Sequence, residues 1–367
     1  MDRDNETNYF FSEKKMTVIL KEEPLFCSRP FRWFEVTQVG GRGNVYMCCS
    51  AWVSKSIGNL MDHSVADIWN GEEAQEIRRS ILDGTFRYCS YSRCSFLQTV
   101  SGPVSRLKDV KDEDLKKVIQ EKLTTLPYGP RDVICCYDLS CNLSCPSCRT
   151  NIIVERRSKK QILEIQNKLK TEALSDAEFL LITGSGDPFG SPFFREWLQT
   201  MRKEDFPQLK WIHLQTNGQL WTPKMWSTID SDIQQIIKSA EVSIDAATSE
   251  TYSKNRRGGK FNQLLQNLAF IGELRRGGPL KTVMISMVVQ ENNFMEMPDF
   301  IRLGKRFDFD TVYFSKLLNY GAYSEEEYKN RALHFPSHPK HSALIDLLKN
   351  DIFLDPIVNL GNLTELI

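Results

Sequence analysis

The sequence predicts an α/β chain in which a run of βα units follows a small cysteine-rich unit. Three observations point there. Short apolar runs alternate with helical stretches beyond residue 130, all ten cysteines lie at or before Cys148, and the overall composition is that of a globular protein. The chain has 367 residues, which at about 100–200 residues per domain makes one large domain or two ordinary ones. Charged residues at 26% and hydrophobic residues at 41% exclude a disordered or collagen-like chain. The 47 basic and 47 acidic side chains balance, which removes the electrostatic case for a dedicated nucleic-acid or membrane-surface binder. No apolar run approaches the ~18–20 residues of a membrane span. The start, MDRDNETNYFFSEKKM, lacks the apolar core of a secretory signal. The expected protein is cytoplasmic, with no nucleic-acid or membrane partner.

Along the chain, residues 1–22 form a polar lead-in. Residues 23–100 form the cysteine-rich unit, with turn formers at Gly40–Asn44 and Gly58–Asn59 and one helix predicted over Val65–Leu82 behind Ser64 as N-cap. Residues 101–130 read as a charged connector ending in Pro127-Tyr128-Gly129-Pro130. Over 131–320, strands are predicted at 133–137, 179–183, 211–215, 242–244, 283–289 and 311–314. Helices are predicted near 160–173, 192–202, 224–238, 261–275 and 296–307. Such a series builds a parallel sheet, open or rolled into a barrel, with ligands gathered where strands end. Residues 321–367 form an extension, expected as a helix and an extended tail.

Clustered cysteines in a reducing compartment more often bind metal or do chemistry than pair as disulfides. The first barrel strand leads into Cys141-Asn142-Leu143-Ser144-Cys145-Pro146-Ser147-Cys148. Iron–sulfur clusters are usually held by four thiolates, so three on one loop leave an iron without a protein ligand, open to substrate or cofactor. Zinc, with a distant histidine or cysteine as fourth ligand, fits the same spacing. His334, His338 and His341, interleaved with Pro336 and Pro339, read as a loop, and the scattered tryptophans as packing.

The C-x3-C-x2-C loop after a first strand, ahead of a βα series, resembles the radical S-adenosylmethionine (SAM) superfamily. In that family an electron from the reduced cluster cleaves SAM to methionine and a 5′-deoxyadenosyl radical, which takes hydrogen from substrate. The resemblance implies a partial (β/α)6, TIM-like radical SAM barrel with a [4Fe-4S] cluster on Cys141, Cys145 and Cys148, and SAM as cofactor. Thr183-Gly184-Ser185-Gly186-Asp187-Pro188 is similar to the Gly-Gly-Glu-Pro segment that binds the SAM amino group, with Ser185 and Asp187 where Gly and Glu are usual. Asn217 lies in a Thr-Asn-Gly turn like the family's. Ser243 and Asp245 resemble the pair reaching the SAM ribose or carboxylate. Arg256, with Arg257 as the alternative register, resembles the arginine that pairs with that carboxylate, and Asn292 falls where adenosine is contacted. Taken singly, each of these more often marks a turn, a cap or a solvated carboxylate. Their order, one at each strand end, carries the resemblance.

The segments around Cys27, Gly43–Cys49, Ile57–Leu60, Ile68–Asn70 and Cys89–Cys94 resemble the auxiliary-cluster module called SPASM, or its shortened form, twitch, here ahead of the barrel rather than behind it. The resemblance implies an auxiliary [4Fe-4S] cluster on Cys27, Cys49, Cys89 and Cys94. Neighbouring side chains of an extended segment point oppositely, so one of Cys48 and Cys49 faces the metal, and the resemblance selects Cys49. A zinc ribbon fits these spacings too. Of Cys135 and Cys136, one is expected to pack as a small apolar residue.

The resemblance implies an enzyme that modifies a peptide or protein side chain by cross-linking, oxidation or epimerisation, supplied by a reductant such as flavodoxin or ferredoxin. The alternative is a dehydrogenase or epimerase of a sugar or other small metabolite. No leader-peptide-binding domain is visible in the sequence ahead of the cysteine-rich region, which weighs against the peptide reading. A zinc-binding scaffold would be colourless and have no SAM affinity, and an electron carrier would have no need of the SAM segments.

Overall fold

The computed structural model describes residues 24–367 apart from Ser54 and Ser92; the polar lead-in and residue 23 lie outside the described residues. The backbone divides into two compact units, one of residues up to 137 with 158–180 and 206–209, the other of 138–157, 181–205 and 210–367.

The first unit has strands β1 (Leu25–Cys27), β2 (Trp33–Thr37), β3 (Asn44–Tyr46), β4 (Gly58–Asn59), β5 (Val104–Arg106) and β6 (Asp132–Cys136). Its helices are α1 (Val65–Trp69), α2 (Glu72–Leu82), α3 (Ser95–Thr99), α4 (Glu113–Glu121) and α5 (Lys159–Lys168). β5 pairs antiparallel with β1, so the segment read as a connector supplies a strand. β2 pairs antiparallel with β3 and in parallel with β6, placing Thr37 opposite Cys136. The single helix predicted over 65–82 is two. The Ser64 hydroxyl accepts from the Asp67 amide (3.1 Å) to start α1, but the Asn70 side chain is drawn away to both backbone groups of Leu126 (2.9 Å each). A Cβ on Gly71 would lie 2.7 Å from the Asp67 carbonyl, so the break falls where glycine permits it.

β7 (Phe179–Ile182) is divided between the units. The second unit has β8 (Trp211–Thr216), β9 (Ile237–Ser243), β10 (Thr282–Val289), β11 (Thr311–Lys316) and β12 (Val358–Asn359), each parallel to the next. Its helices are α6 (Pro192–Thr200), α7 (Pro223–Trp226), α8 (Ser231–Ile236), α9 (Ser249–Asn255), α10 (Phe261–Gly277), α11 (Met297–Arg306), α12 (Glu325–Arg331) and α13 (His341–Leu348). The six strands predicted over 131–320 are present as β6–β11, in the α/β class expected. The helix predicted over 224–238 is α7 and α8, capped separately by Thr222 and Asp230, and its last residues already belong to β9. The C-terminal tail returns to the sheet as β12.

The strands alternate faces with a period of two. Ile212, Leu214, Val242, Ile285, Val312 and Phe314 are fully buried. The other face carries Gln215 opposite Glu241 and Ser243 opposite Ser286. Among the described residues, no helix is long and apolar enough to cross a membrane.

Candidate functional site

Local backbone bonds shape the cysteine loop. Asp138 is buried and accepts from the Ser140 amide (2.9 Å) and hydroxyl (2.7 Å) and from the Ser191 hydroxyl, fixing the entry. The Cys141 amide donates to the Ile153 carbonyl (2.9 Å) and the Ser144 amide to that of Arg257 (3.0 Å). The Cys148 and Arg149 amides both donate to the Cys145 carbonyl (2.9 Å) and turn the chain.

Each thiol of the loop faces a nitrogen donor. Asn217 Nδ2 stands 3.6 Å from the Cys141 sulfur and Arg256 Nη1 3.7 Å from that of Cys145. Arg149 Nε and Nη2 reach the Cys148 sulfur at 3.3 and 3.2 Å. Arg149 also donates to the carbonyls of Leu139 (2.5 Å) and Ser185 (2.6 Å), tying the loop to the 183–187 turn. Cys141 and Cys145 are buried and Cys148 is exposed. Burial, with the Asp187 charge adding to it, pushes the Cys141 thiol up to about 11. Burial also raises Cys145, against the pull of Arg256. Loading metal on these sulfurs therefore displaces protons.

The turn after β7 is built for close approach. Thr183 adopts a left-handed φ of 71°, and its hydroxyl accepts from the amides of Ser185 (3.1 Å) and Gly186 (2.8 Å). A Cβ on Gly186 would stand 2.5 Å from the Asp138 carbonyl and 2.6 Å from that of Ser140. Gly184 is exposed. Asp187, read from sequence as a partner of the SAM amino group, is fully buried and closes on four donors of its own chain. Oδ1 accepts from the Phe189 (3.0 Å) and Gly190 (2.7 Å) amides, and Oδ2 from the Thr216 hydroxyl and Asn217 amide (2.8 Å each). Its carboxylate joins the ends of β7 and β8 and holds Asn217 toward the cysteine loop.

Past β9, Asp245 takes a left-handed φ of 59°, with its carbonyl held by Nδ2 of Asn255 (2.9 Å) and of Asn293 (3.0 Å). Its Oδ1 accepts from the Val288 amide (2.8 Å), and its Oδ2 pairs with Arg256 Nη2 at 2.9 Å in an almost fully buried ion pair. Burial raises the Asp245 carboxyl and Arg256 opposes it. Asn292 Nδ2 donates to Asn255 Oδ1 (2.7 Å). Ser243 Oγ accepts from the Ser286 hydroxyl (3.2 Å). Cys145, Arg256, Asp245, Asn255 and Asn292 thus form one line of polar contacts. Arg256 Nε and Asn292 Oδ1 are buried without a protein partner. An orphaned donor and an orphaned acceptor each cost about 1–3 kcal/mol, and a ligand carrying a carboxylate and a nucleoside would satisfy both.

In the first unit, Cys27, Cys48, Cys89 and Cys94 line one cavity, with apolar walls that include Ile77 and Phe86. Cys49, the residue the resemblance selects, does not line it. Burial, with the Glu35 charge adding to it, pushes the Cys49 thiol up to about 11. Burial pushes Cys27 up to about 12 and Cys89 higher still. Arg29 Nη1 donates to the Cys48 sulfur at 3.2 Å. Four thiols about one enclosed space, and three on a loop beside an orphaned polar pair, are soft donor sets suited to iron–sulfur clusters. Among the described residues, no three His, Cys, Asp or Glu side chains converge tightly enough to hold a single metal ion.

Of the strand cysteines, Cys135 is fully buried and packs as an apolar residue. His338 hydrogen-bonds the carbonyl of Asn330 (3.0 Å) from a turn, whereas His341, which opens α13 rather than lying in a loop, hydrogen-bonds that of Leu333 (2.8 Å). Sequence reasoning gave Arg29 and Arg149 no role and set Cys48 aside in favour of Cys49. Arg149 follows a predicted ligand directly and Arg29 lies two residues beyond one, which is the only signal either gave.

A family model described as an iron–sulfur cluster-binding domain, SPASM, matches residues 27–95, and that of the radical SAM superfamily matches residues 139–304. No curated protein matches the chain. Among solved structures, SuiB of Streptococcus suis is 14% identical at a TM-score of 0.41, over 81% of this chain and 63% of SuiB. TYW1 with a lysine-pyruvate adduct bound is 18% identical at a TM-score of 0.37, over 59% of this chain and 70% of that one. Native anSMEcpe with bound AdoMet and Kp18Cys peptide is 18% identical at a TM-score of 0.37, over 64% of each chain. This chain thus spans less than two thirds of the SuiB and anSMEcpe chains.

Proposed function

Because the chain belongs to the radical SAM superfamily and carries a SPASM domain ahead of its radical SAM domain, with a [4Fe-4S] cluster, SAM and auxiliary iron–sulfur as its cofactors, we propose that it is an enzyme that cleaves SAM reductively and takes hydrogen from a peptide or protein side chain. The observation that carries this reading is the line from Cys145 through Arg256 to Asp245, with Arg256 Nε and Asn292 Oδ1 buried and unpartnered beside it. When bound, the cluster supplies the electron that splits SAM into methionine and a 5′-deoxyadenosyl radical.

Cys141, Cys145 and Cys148 would hold that cluster. Arg256 faces the SAM carboxylate, and Asp245 fixes the guanidinium for it. Asn292 meets the adenosine and Ser243 the ribose. The Gly184–Gly186 backbone receives the amino end, with Asp187 as the residue that positions this turn and Asn217. Cys27, Cys48, Cys89 and Cys94 hold an auxiliary cluster that assists the reaction. By sequence position the cysteine-rich domain falls within 23–100 and the radical SAM domain within 131–320, while 101–130 contributes β5 to the first unit and 321–367 contributes β12 to the sheet. The SPASM module supports a peptide or protein side chain as substrate over a sugar or other small metabolite. Flavodoxin or ferredoxin supplies electrons.

The test is anaerobic reconstitution, reduction with dithionite and addition of SAM, with 5′-deoxyadenosine followed by mass spectrometry. Its formation, and a mass change in one member of a candidate peptide pool, is expected. Protein holding about eight irons that makes no 5′-deoxyadenosine would sink the reading.

A further inference from the structure

Arg29 sets a charged side chain against the sulfur of Cys48, the residue weighed against Cys49 in the sequence. It opens a short turn, Arg29–Phe31, directly after β1, and the Ser28 amide anchors that turn on the Pro103 carbonyl (2.9 Å). From there Nη1 donates to the Cys48 sulfur at 3.2 Å. Three rings enclose the guanidinium, Trp33 at 4.2 Å, Phe96 at 5.0 Å and Trp52 at 5.4 Å from their centroids. Trp52 and Phe96 themselves meet edge to face at 5.6 Å, which makes this a packed cage. Arg29 lines the same cavity as the four cysteines. Glu35 is the buried carboxylate within its field, occupied by the Ser50 amide at 3.1 Å.

We propose that Arg29 is a positioning residue of the auxiliary cluster, and that its guanidinium, bonded to the Cys48 sulfur, makes the cluster easier to reduce. The proposal rests on the reading that Cys48 is a cluster ligand. Reduction adds one negative charge, and a fixed cation hydrogen-bonded to a ligand sulfur favours the more negative state. The cluster gains one electron from an external reductant; no bond forms or breaks, and the guanidinium keeps its proton. A merely structural arginine would hold the fold and leave that equilibrium unmoved.

The test uses the full chain carrying Cys145→Ala, so that the auxiliary cluster is titrated alone, with its midpoint read by electron paramagnetic resonance. Arg29→Gln is expected to retain about four irons and to lower the reduced-to-oxidised ratio at a fixed potential at least tenfold, a midpoint shift of about 59 mV for one electron. Arg29→Lys, which keeps the charge and loses the planar fork, should fall between. Retained iron with an unmoved midpoint overturns the proposal. If Arg29→Gln sheds its iron, the chain with Arg29 intact decides: labelled with 15N-arginine, its reduced auxiliary cluster should show a 15N hyperfine coupling, and the lack of one overturns the proposal. A chain with no iron at the auxiliary site fails differently, on the iron count, and takes the ligand reading down with the proposal.

Discussion

The loop after β6 and the cysteine-rich unit gather thiols in opposite ways. Cys141, Cys145 and Cys148 come from eight consecutive residues, held by backbone bonds within the loop and to Ile153 and Arg257. Two are buried, one is exposed, and each sulfur faces a side-chain donor. Cys27, Cys48, Cys89 and Cys94 come from segments spread over nearly seventy residues and enclose one mostly apolar cavity with a single guanidinium, Arg29, on its wall. Beside the three thiols of the loop lie the buried Arg256–Asp245 pair and the unpartnered Arg256 Nε and Asn292 Oδ1. The four thiols of the first unit come from separate segments around one cavity.

The comparison can be broken at several points. The largest effect is expected from Cys145→Ala, which should abolish 5′-deoxyadenosine formation and remove about four irons while the auxiliary cluster remains; undiminished cleavage would mean the open site lies elsewhere. Next comes the pair Cys48→Ala and Cys49→Ala. Iron analysis should show the first losing about four atoms and the second keeping them, and the reverse would return the ligand to Cys49. Arg256→Gln leaves the Asp245 carboxylate buried without its cation, so SAM affinity measured by calorimetry should fall at least tenfold. Unchanged affinity would exclude Arg256 from the cofactor site. The smallest effect is local. Gly186→Ala drives a methyl into the carbonyls of Asp138 and Ser140, and thermal unfolding should register a loss of about 1–3 kcal/mol. No loss would show that the turn can relax.

The same contrast explains what the sequence made legible. The three-cysteine loop is local, so its spacing alone describes it, and the six strands are short β-branched or apolar runs whose burial the structure bears out. The cavity of the first unit is tertiary. Alternation says that Cys48 and Cys49 face opposite ways but not which faces inward; packing decides that, and Cys48 lines the cavity while Cys49 does not. The break at Asn70–Gly71 is set by Leu126, more than fifty residues away. Helix α9, SETYSKN, has too little apolar periodicity to be read and is fixed by its Thr248 cap. Asp187 looked like a ligand-facing carboxylate because of its place in a motif, yet its shorter side chain meets the donors of β8 instead.

The most direct test is electron paramagnetic resonance of the reduced, oxygen-free protein before and after SAM is added. Two cluster signals are expected, with SAM moving one and leaving the other unchanged. A spectrum in which SAM moves neither signal would contradict the division of labour between the three-cysteine loop and the four-cysteine cavity.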